Sequence, residues 1–570
     1  MLECRRLIIN IATNNGLMAI QLPQGYYLTN FVELIDFVFE QYQDLLSAQE
    51  QNFHHTFKSL SSVAQKLYVR MLTRKGDIFR CSKLNYQEIP DTTAAAEELA
   101  NVQLIHIDPE LQLSEVTPLF SKPELLKILT SFQFDKNLIA ELKKLKRAEL
   151  EATLLEFEQL EAEVAQLLVQ QIEENFYEIS QPQLFDSYKL LFFGNLNQDL
   201  TDFVLRDLGL YQFENYLIDK NSRLFNDRKE IDNYLSYYEK IQELDEIMSR
   251  EKGAILNLHQ QLPRSDKVDN ILARRIERVN LALARQLERL EEWDDALQLY
   301  AKCQLPPARE RTARILVKKE EIKPALTICE QIIDSPIDES ELIFAKEFGY
   351  RTAKKHQVKW AKPEQYQPHA ETISIGQGDE CVELDVVDYF SSQGDCFYVE
   401  NALFCGLFGL HFWDVIFAPV KGAFTHPFQS RPHDLYESDF LLNRKTPYEK
   451  AVSQLKDINQ NIDEILALWR DKSTIVSPFI YTQSLDTPLI KKALTEIPNH
   501  HWQAVFQRLW SDLRANRSGF PDLIFFPEGG GYELIEVKGP GDRLQKNQIR
   551  WMQFFHQHHI PHRVIHVEWR

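Results

Sequence analysis

No Cys-x-x-Cys pair occurs anywhere in this chain. Its seven cysteines are odd in number and widely dispersed. Such a set is neither a disulfide frame nor a cysteine-based zinc site, and it points to free thiols in a reducing compartment. No apolar run reaches membrane-spanning length. The first twenty-odd residues are broken by Asn10, Asn14 and Asn15 and lack a secretory-signal layout. Basic residues are missing altogether between Arg147 and Lys189, a gap that holds Glu149, Glu151, Glu156, Glu158, Glu161, Glu163, Glu173 and Glu174. That stretch reads as a long helix burying Leu150, Leu154, Leu160, Val164, Leu167 and Leu168, its acid turned to water or a partner.

What is present is a chain of 570 residues, long enough for several domains with ample core. At 44% hydrophobic and 26% charged it has the composition of a soluble globular protein. The formal net charge of −20 does not exclude nucleic acid, because the field depends on where the charges sit. His556, His558, His559 and His562 are loosely spaced at a polar helix end and read as a surface feature.

The run Gly519-Phe520-Pro521-Asp522, followed by Glu536-Val537-Lys538, has the form of a metal site. Residues 522–526 (DLIFF) are β-prone, Glu528-Gly529-Gly530-Gly531 reads as a tight turn, and 532–538 (YELIEVK) alternates like a half-buried strand. The resulting hairpin sets Asp522 roughly opposite Val537, with Glu536 and Lys538 sharing one face beside that carboxylate. Two converging carboxylates hold a hard cation such as Mg2+ or Mn2+, and an adjacent lysine orients water and steadies charge on a phosphate. A solvated strand edge is the competing reading. Gly539 to Leu544 then breaks the strand, and residues 545–556 read as a helix with Leu544, Ile549, Met552 and Phe555 on its apolar side and Lys546, Gln548 and Arg550 outside.

Asp522, Glu536, Lys538 and the GPGDRL…Q run resemble the VRR-NUC branch of the PD-(D/E)xK nucleases, and more closely the Fanconi-associated nuclease family. The resemblance covers the chain from about Tyr26 to its end. It implies an upstream acidic ligand in the block from Tyr398 to Phe404 leading into 409–417. By that similarity Glu400 is the third acidic ligand, with Glu383 as the competing position, and the Val537 carbonyl is a backbone ligand. It also implies a bacterial-type member, since no cysteine/histidine cluster precedes residue 65. The implied activity is metal-dependent cutting of DNA near 5′ flaps, with 5′-to-3′ degradation, in interstrand-crosslink repair. The implied partners are branched or flapped duplex DNA and other repair proteins, in the cytoplasm or on the nucleoid. An inactive helical-repeat scaffold and a resolvase-like nuclease are the alternatives.

Basic residues cluster in two places outside the catalytic segment. Lys66, Arg70 and Arg74 fall at i, i+4 and i+8, so one helical face carries all three while Leu67 and Met71 point inward. Such a stripe suits a phosphate backbone, and an ordinary solvent face is the alternative. The string 65–75 also resembles a block of the same family. Ser121-Lys122-Pro123-Glu124 reads as a capping box opening a helix. After a loop at Phe134-Asp135-Lys136, a second helix ends in Lys143, Lys144, Lys146 and Arg147, and the pair looks like a SAP-type DNA-binding unit. Near the catalytic helix, Arg543, Lys546 and Gln548 are the candidate DNA contacts.

An internal repeat lies between these parts. Residues 284–300 and 313–329 align with an offset of 29, matching Ala284 with Ala313, Leu287 with Leu316, Ala296 with Ala325 and Leu297 with Leu326. Small residues at crossing points and apolar ones at helical spacing indicate an α-solenoid of tetratricopeptide-like character. The expected fold is therefore multidomain. A helical DNA-binding region spans 1–101 and a SAP-like unit 102–147. An acidic helix and TPR-like repeats span 148–360, and an α/β PD-(D/E)xK-type nuclease domain spans 369–570.

Overall fold

The computed structural model describes residues 23–570, apart from 132–135, 171, 210, 243, 245–250 and 364–365. The expected lack of a signal segment, and the loop at Phe134-Asp135, fall outside the described residues. Two compact units divide the chain, residues 1–210 and 211–570. No helix among the described residues is long and apolar enough to cross a membrane.

In the first unit the helices Tyr26–Tyr42, Ala48–Ser59 and Ser62–Leu72 pack through Phe31, Phe53, Phe57, Leu67 and Tyr68. Ser47 and Glu50 form a reciprocal capping box, and the Ser61 hydroxyl accepts from Ala64 N–H. A small antiparallel sheet follows, with β1 (Ile78–Arg80) and β2 (Ile105–Ile107) on either side of β3 (Phe176–Ile179). Between β2 and β3 lie the two expected short helices, Lys122–Ser131 and Lys136–Lys144. Glu124 accepts from the Ser121 N–H at 2.8 Å, as the capping pattern requires.

The acidic stretch forms two helices, Arg147–Leu160 and Ala162–Gln170, where one long helix was expected. Leu150, Leu154 and Leu168 are buried as expected, but Leu160 is 81% exposed and Leu167 51%. The break at Glu161 rotates the second helix, so the periodicity of the first cannot continue through it. Leu125, Leu129, Ile139, Leu142, Leu150 and Leu154 share one core, so the short helices and the acidic pair pack as one body.

In the second unit the repeat is five helices: Asn270–Arg289, Trp293–Tyr300, Ala308–Lys318, Ile322–Asp334 and Glu339–Lys355. Ala284, Ala296, Ala313 and Ala325 are fully buried where the helices cross. The offset of 29 extends to the backbone, because Glu291 (φ 62°) and Glu320 (φ 63°) make the same left-handed turn in each copy. Arg508 fixes the last of these helices to the C-terminal domain. Its Nη2 donates to both oxygens of Glu339, at 3.0 and 2.8 Å, and its guanidinium lies 4.8 and 4.7 Å from the Trp551 and Phe554 rings.

The C-terminal domain is built on a five-stranded sheet ordered β4-β8-β7-β6-β5: β4 Ala370–Ile375, β5 Gly394–Tyr398, β6 Leu523–Pro527, β7 Glu533–Lys538 and β8 His562–Trp569. β8 runs parallel to β4 and β7, and β6 is antiparallel to β5 and β7. One face, with Leu523, Phe525, Ile535 and Val537, packs on the helix Val382–Phe390 through Val386 and Phe390. The other, with Ile524, Phe526 and Leu534, joins a larger core with Phe404, Trp502, Phe506, Trp551 and Phe555.

Candidate active site

The hairpin ladder pairs Leu523 with Ile535, Ile524 with Leu534 and Phe525 with Glu533. One step further along the same register, Asp522 faces Glu536 and not Val537, which corrects the sequence reading by one residue. The physical reason is the turn, where Gly530 and Gly531 both adopt left-handed backbone (φ 85° and 83°) and fix the loop length. Directly opposed residues share a face, so the corrected register puts both carboxylates on one side, with Lys538 two residues on. Val537 contributes its N–H, which donates to Asp522 Oδ2 at 2.8 Å and orients that carboxylate.

Glu536 is completely buried, and Lys538 Nζ lies 2.6 Å from its Oε1. Neither Glu536 oxygen receives a well-directed hydrogen bond. Burial, and then the charge of Asp522, pushes the Glu536 carboxyl up to about 8 despite the lysine. Burial likewise raises Asp522 to about 6, against the opposing Val537 N–H and Lys538. A buried glutamate without a well-directed donor, facing a half-buried aspartate, is a ready-made seat for a divalent cation, so these residues fit one. Among the described residues no three His, Cys, Asp or Glu side chains already converge as a metal cluster.

Both upstream glutamates border this pair. Glu383 lies in the first turn of Val382–Phe390, and its charge acts on both Asp522 and Glu536. Glu400 lies in the loop after β5, and its charge acts on Asp522. Its backbone is left-handed (φ 41°), a strained state for a glutamate. The N–H groups of Val399 and Glu400 both donate to the Asp522 carbonyl at 2.9 Å. Asn401 completes the clamp: its Oδ1 accepts from Gly519 and Phe520 N–H at 2.9 and 3.2 Å, and its Nδ2 donates to Glu400 Oε1 at 3.2 Å. Asn401 and Gly519 were not singled out as site residues. The signal was a short polar side chain beside the glutamate and a glycine opening the motif. Gly519 has φ 93°, and a Cβ there would meet the Asn547 side chain at 2.8 Å.

The expected DNA-contacting residues are placed unevenly. Arg70 is held within its own fold, 2.6 Å from Glu88 and with its guanidinium 3.9 Å from the Tyr27 ring. Arg74 lies beyond the helix end at Leu72 and donates to the Lys83 carbonyl at 3.3 Å. Only Lys66 and Arg70 therefore share the helix itself. Lys144 pairs with Glu141 at 2.6 Å, while Lys143 is exposed. Arg543 and Lys546 are exposed, and Lys546 lies 3.8 Å from Glu347. Gln548 caps its helix, Lys546–Gln557, accepting from Gln545 N–H at 2.8 Å. Six cysteines among the described residues are free thiols.

Comparison with known proteins places these features in a lineage. The family described as "FAN1, HTH domain" matches residues 25–106, and that described as "VRR-NUC domain" matches 457–569. The chain is 35% identical to a Fanconi-associated nuclease 1 homolog of Pseudomonas aeruginosa, over 96% of this chain and 97% of that protein. It is 23% identical to human Fanconi-associated nuclease 1, covering 92% of this chain and 61% of the longer human protein. A crystal structure of paFAN1 bound to 2nt 5′ flap DNA with gap superposes with a TM-score of 0.82 at 33% identity, covering 97% of this chain and 99% of the other.

Proposed function

From the premise that the chain belongs to the Fanconi-associated nuclease 1 family, and is a DNA nuclease, we propose that it cuts duplex DNA near 5′ flaps using Mg2+ or Mn2+. We assign to the same site the 5′-to-3′ degradation and crosslink-repair role that the family implies. The observation that carries the reading is the buried Glu536 facing the half-buried Asp522 with Lys538 beside it, on a chain similar throughout to a relative crystallised on 5′ flap DNA.

Asp522 and Glu536 would hold the cation, with Glu400 as the third carboxylate and the Val537 carbonyl as a backbone ligand. The double tie from Val399 and Glu400 to the Asp522 carbonyl favours Glu400 over Glu383, because it fixes that loop to the motif. A divalent cation there neutralises charge at the phosphate and the leaving oxygen and makes water more acidic. The chain's own residues do the positioning. Val537 N–H and the Glu400 loop hold Asp522 in place. Lys538 orients the attacking water and donates to the developing oxyanion. Burial of Glu536 excludes competing solvent.

The intact Asp-Glu-Lys set argues against an inactive scaffold. Cleavage of end-labelled 5′-flap, 3′-flap, four-way-junction and single-stranded DNA with Mg2+ or Mn2+ tests the assignment. Preference for the 5′ flap is expected. A preference for four-way junctions would return the resolvase-like reading, and no cleavage of any substrate would return the scaffold.

A further inference from the structure

The carboxylates lie below the surface. Glu536 is completely buried and Asp522 half-buried, so a phosphate that reaches them is drawn inward from its duplex. A strand bent in that way loses the regular stacking of the bases beside the bend. An aromatic ring at the rim of the site would replace the lost neighbour, since every base has a face to stack.

The C-terminal domain exposes three aromatic rings among its described residues, Tyr389, Tyr398 and Tyr481. The Tyr481 hydroxyl donates to the Pro478 carbonyl at 3.4 Å, in the segment leading to the helix Thr487–Glu496. Tyr389 stands in the last turn of Val382–Phe390, edge-on to Phe390 with ring centres 5.1 Å apart. Neither borders the carboxylates.

Tyr398 does. It closes the edge strand β5 and pairs with Leu523, the neighbour of Asp522. Alternation puts it on the same face as Cys396. Cys396 is packed on the core beneath Val382–Phe390, whereas Tyr398 emerges past the end of that core and is 38% exposed. After burial itself, the groups that act most on its hydroxyl are Glu400, Glu383 and Asp522, followed by Cys381 at the start of the helix. A Cβ on Gly539 would lie 3.8 Å from Val382 Cγ1, so the loop after Lys538 meets the same helix start. Tyr398, that helix start and that loop thus make one rim around the pair.

The ring is fixed in place but unoccupied by the fold. Its two successors, Val399 and Glu400, donate to the Asp522 carbonyl at 2.9 Å and fasten this backbone to the motif. The neighbouring Phe397 meets the Phe526 ring at 6.1 Å, and Phe525 meets Phe390 at 4.9 Å. Tyr398 stacks on no ring or cation, and its hydroxyl makes no hydrogen bond, among the described residues. The acids around it repel a phosphate, but a base carries no charge and is free to lie on the ring.

We propose that Tyr398 is the stacking platform for the nucleobase beside the scissile phosphate, received as the cut strand bends down to the carboxylates. The inference rests on the nuclease reading and deepens it.

The experiment uses the full chain with Mg2+ and 5′-flap duplexes. Each duplex carries one abasic nucleotide, moved position by position along the cut strand. The wild type should lose about tenfold in kcat/KM when the abasic position falls beside the cut, because the stacked base is gone. Tyr398→Leu, which keeps apolar bulk without the ring, should start about tenfold lower on intact DNA and show no further loss at that position. Tyr398→Phe, which keeps the ring, should restore most of the rate and the abasic penalty with it. The penalty is a ratio within one protein, so a reduced folded fraction in either variant cancels from it.

An equal abasic penalty, or none, in wild type and Tyr398→Leu would overturn the proposal. So would a Tyr398→Phe enzyme as slow as Tyr398→Leu, which would assign the role to the hydroxyl. A wild type that cuts no flap would overturn the flap reading instead. The same abasic scan, read as binding affinity for these duplexes, then decides the stacking site on its own.

Discussion

Raising the pH from 6 to 8 should strengthen Mn2+ binding at the carboxylate pair far more than ordinary carboxylates would allow. Glu536 titrates near 8 and Asp522 near 6, both raised chiefly by burial. At pH 6 only about one Glu536 in a hundred is ionised, and at pH 8 about half; Asp522 goes from about half to nearly all. Cation binding requires both anions, so the apparent affinity should rise about a hundredfold, with about one proton released per site at pH 7. The sign for stability is opposite. A carboxyl whose pKa is raised by folding stabilises the metal-free fold at low pH, and that contribution is lost as pH rises from 4.5 through about 8. For Glu536 the full loss is on the order of 5 kcal/mol, from a rise of about 3.5 at about 1.4 kcal/mol for each pH unit. Titration calorimetry with Mn2+ in two buffers of different ionisation enthalpy measures both affinity and protons. Thermal melts without metal, at the same pH values, check the stability arm. An affinity that changes less than about threefold, with no buffer-dependent enthalpy, would refute the idea that the pair is held protonated by its surroundings.

Asp522→Ala and Glu536→Ala should each abolish cleavage while leaving flap binding nearly intact; turnover near wild type in either would remove these residues from the site. Glu400→Gln should lose activity by orders of magnitude and Glu383→Gln much less, and the reverse ranking in a steady-state flap assay would exchange their roles. Gly519→Ala should lower stability by about 1–3 kcal/mol and depress cleavage, because φ 93° is strained for alanine and its Cβ meets Asn547; an unchanged melting temperature would count against the strain. Replacing Lys66 and Arg74 by Glu should weaken flap affinity and make its salt dependence shallower by about one counterion per lost contact; adding Arg70→Glu should also lower the melting temperature, since it sets two acids against each other at Glu88.

The hairpin that carries Asp522, Glu536 and Lys538 was legible in sequence because two local rules suffice: alternation assigns faces and glycines mark the turn. The one-residue register error arose where those rules end, since loop conformation decides which residues oppose. The solenoid was legible for a similar reason, small residues recurring at an interval of 29. The basic stripe was read less well. Helical spacing aligns Lys66 with Arg70, but Glu88 and Tyr27, which claim Arg70, lie in other segments and carry no periodic signal. Gln548 stands beside Lys546 and Arg550 on its helix, and its position three residues after Gln545 also makes it the cap of that helix. Leu160 is the last residue before the helix break at Glu161, and Leu167 lies in the helix after it, where the phase of the first helix no longer holds.

The staple from Arg508 to Glu339 changes what the joining segment between the repeats and β4 has to do. Side chains far along the sequence set the register of the last helix against Trp551 and Phe554, and the segment itself is fastened at Trp360, which packs on Gly349 of that helix, and at Tyr366, whose hydroxyl lies 2.7 Å from His562 Nε2, so only the peptide between these two anchors is a tether without an orienting duty. Doubling its length would cost only about 0.6 kcal/mol of closure entropy. Length variation between those two anchors therefore need not misalign the domain that follows. Glu339 and Arg508 have no such freedom: a change in either has to be answered by a change in the other, two elements joined by chemistry where the covalent chain itself is indifferent.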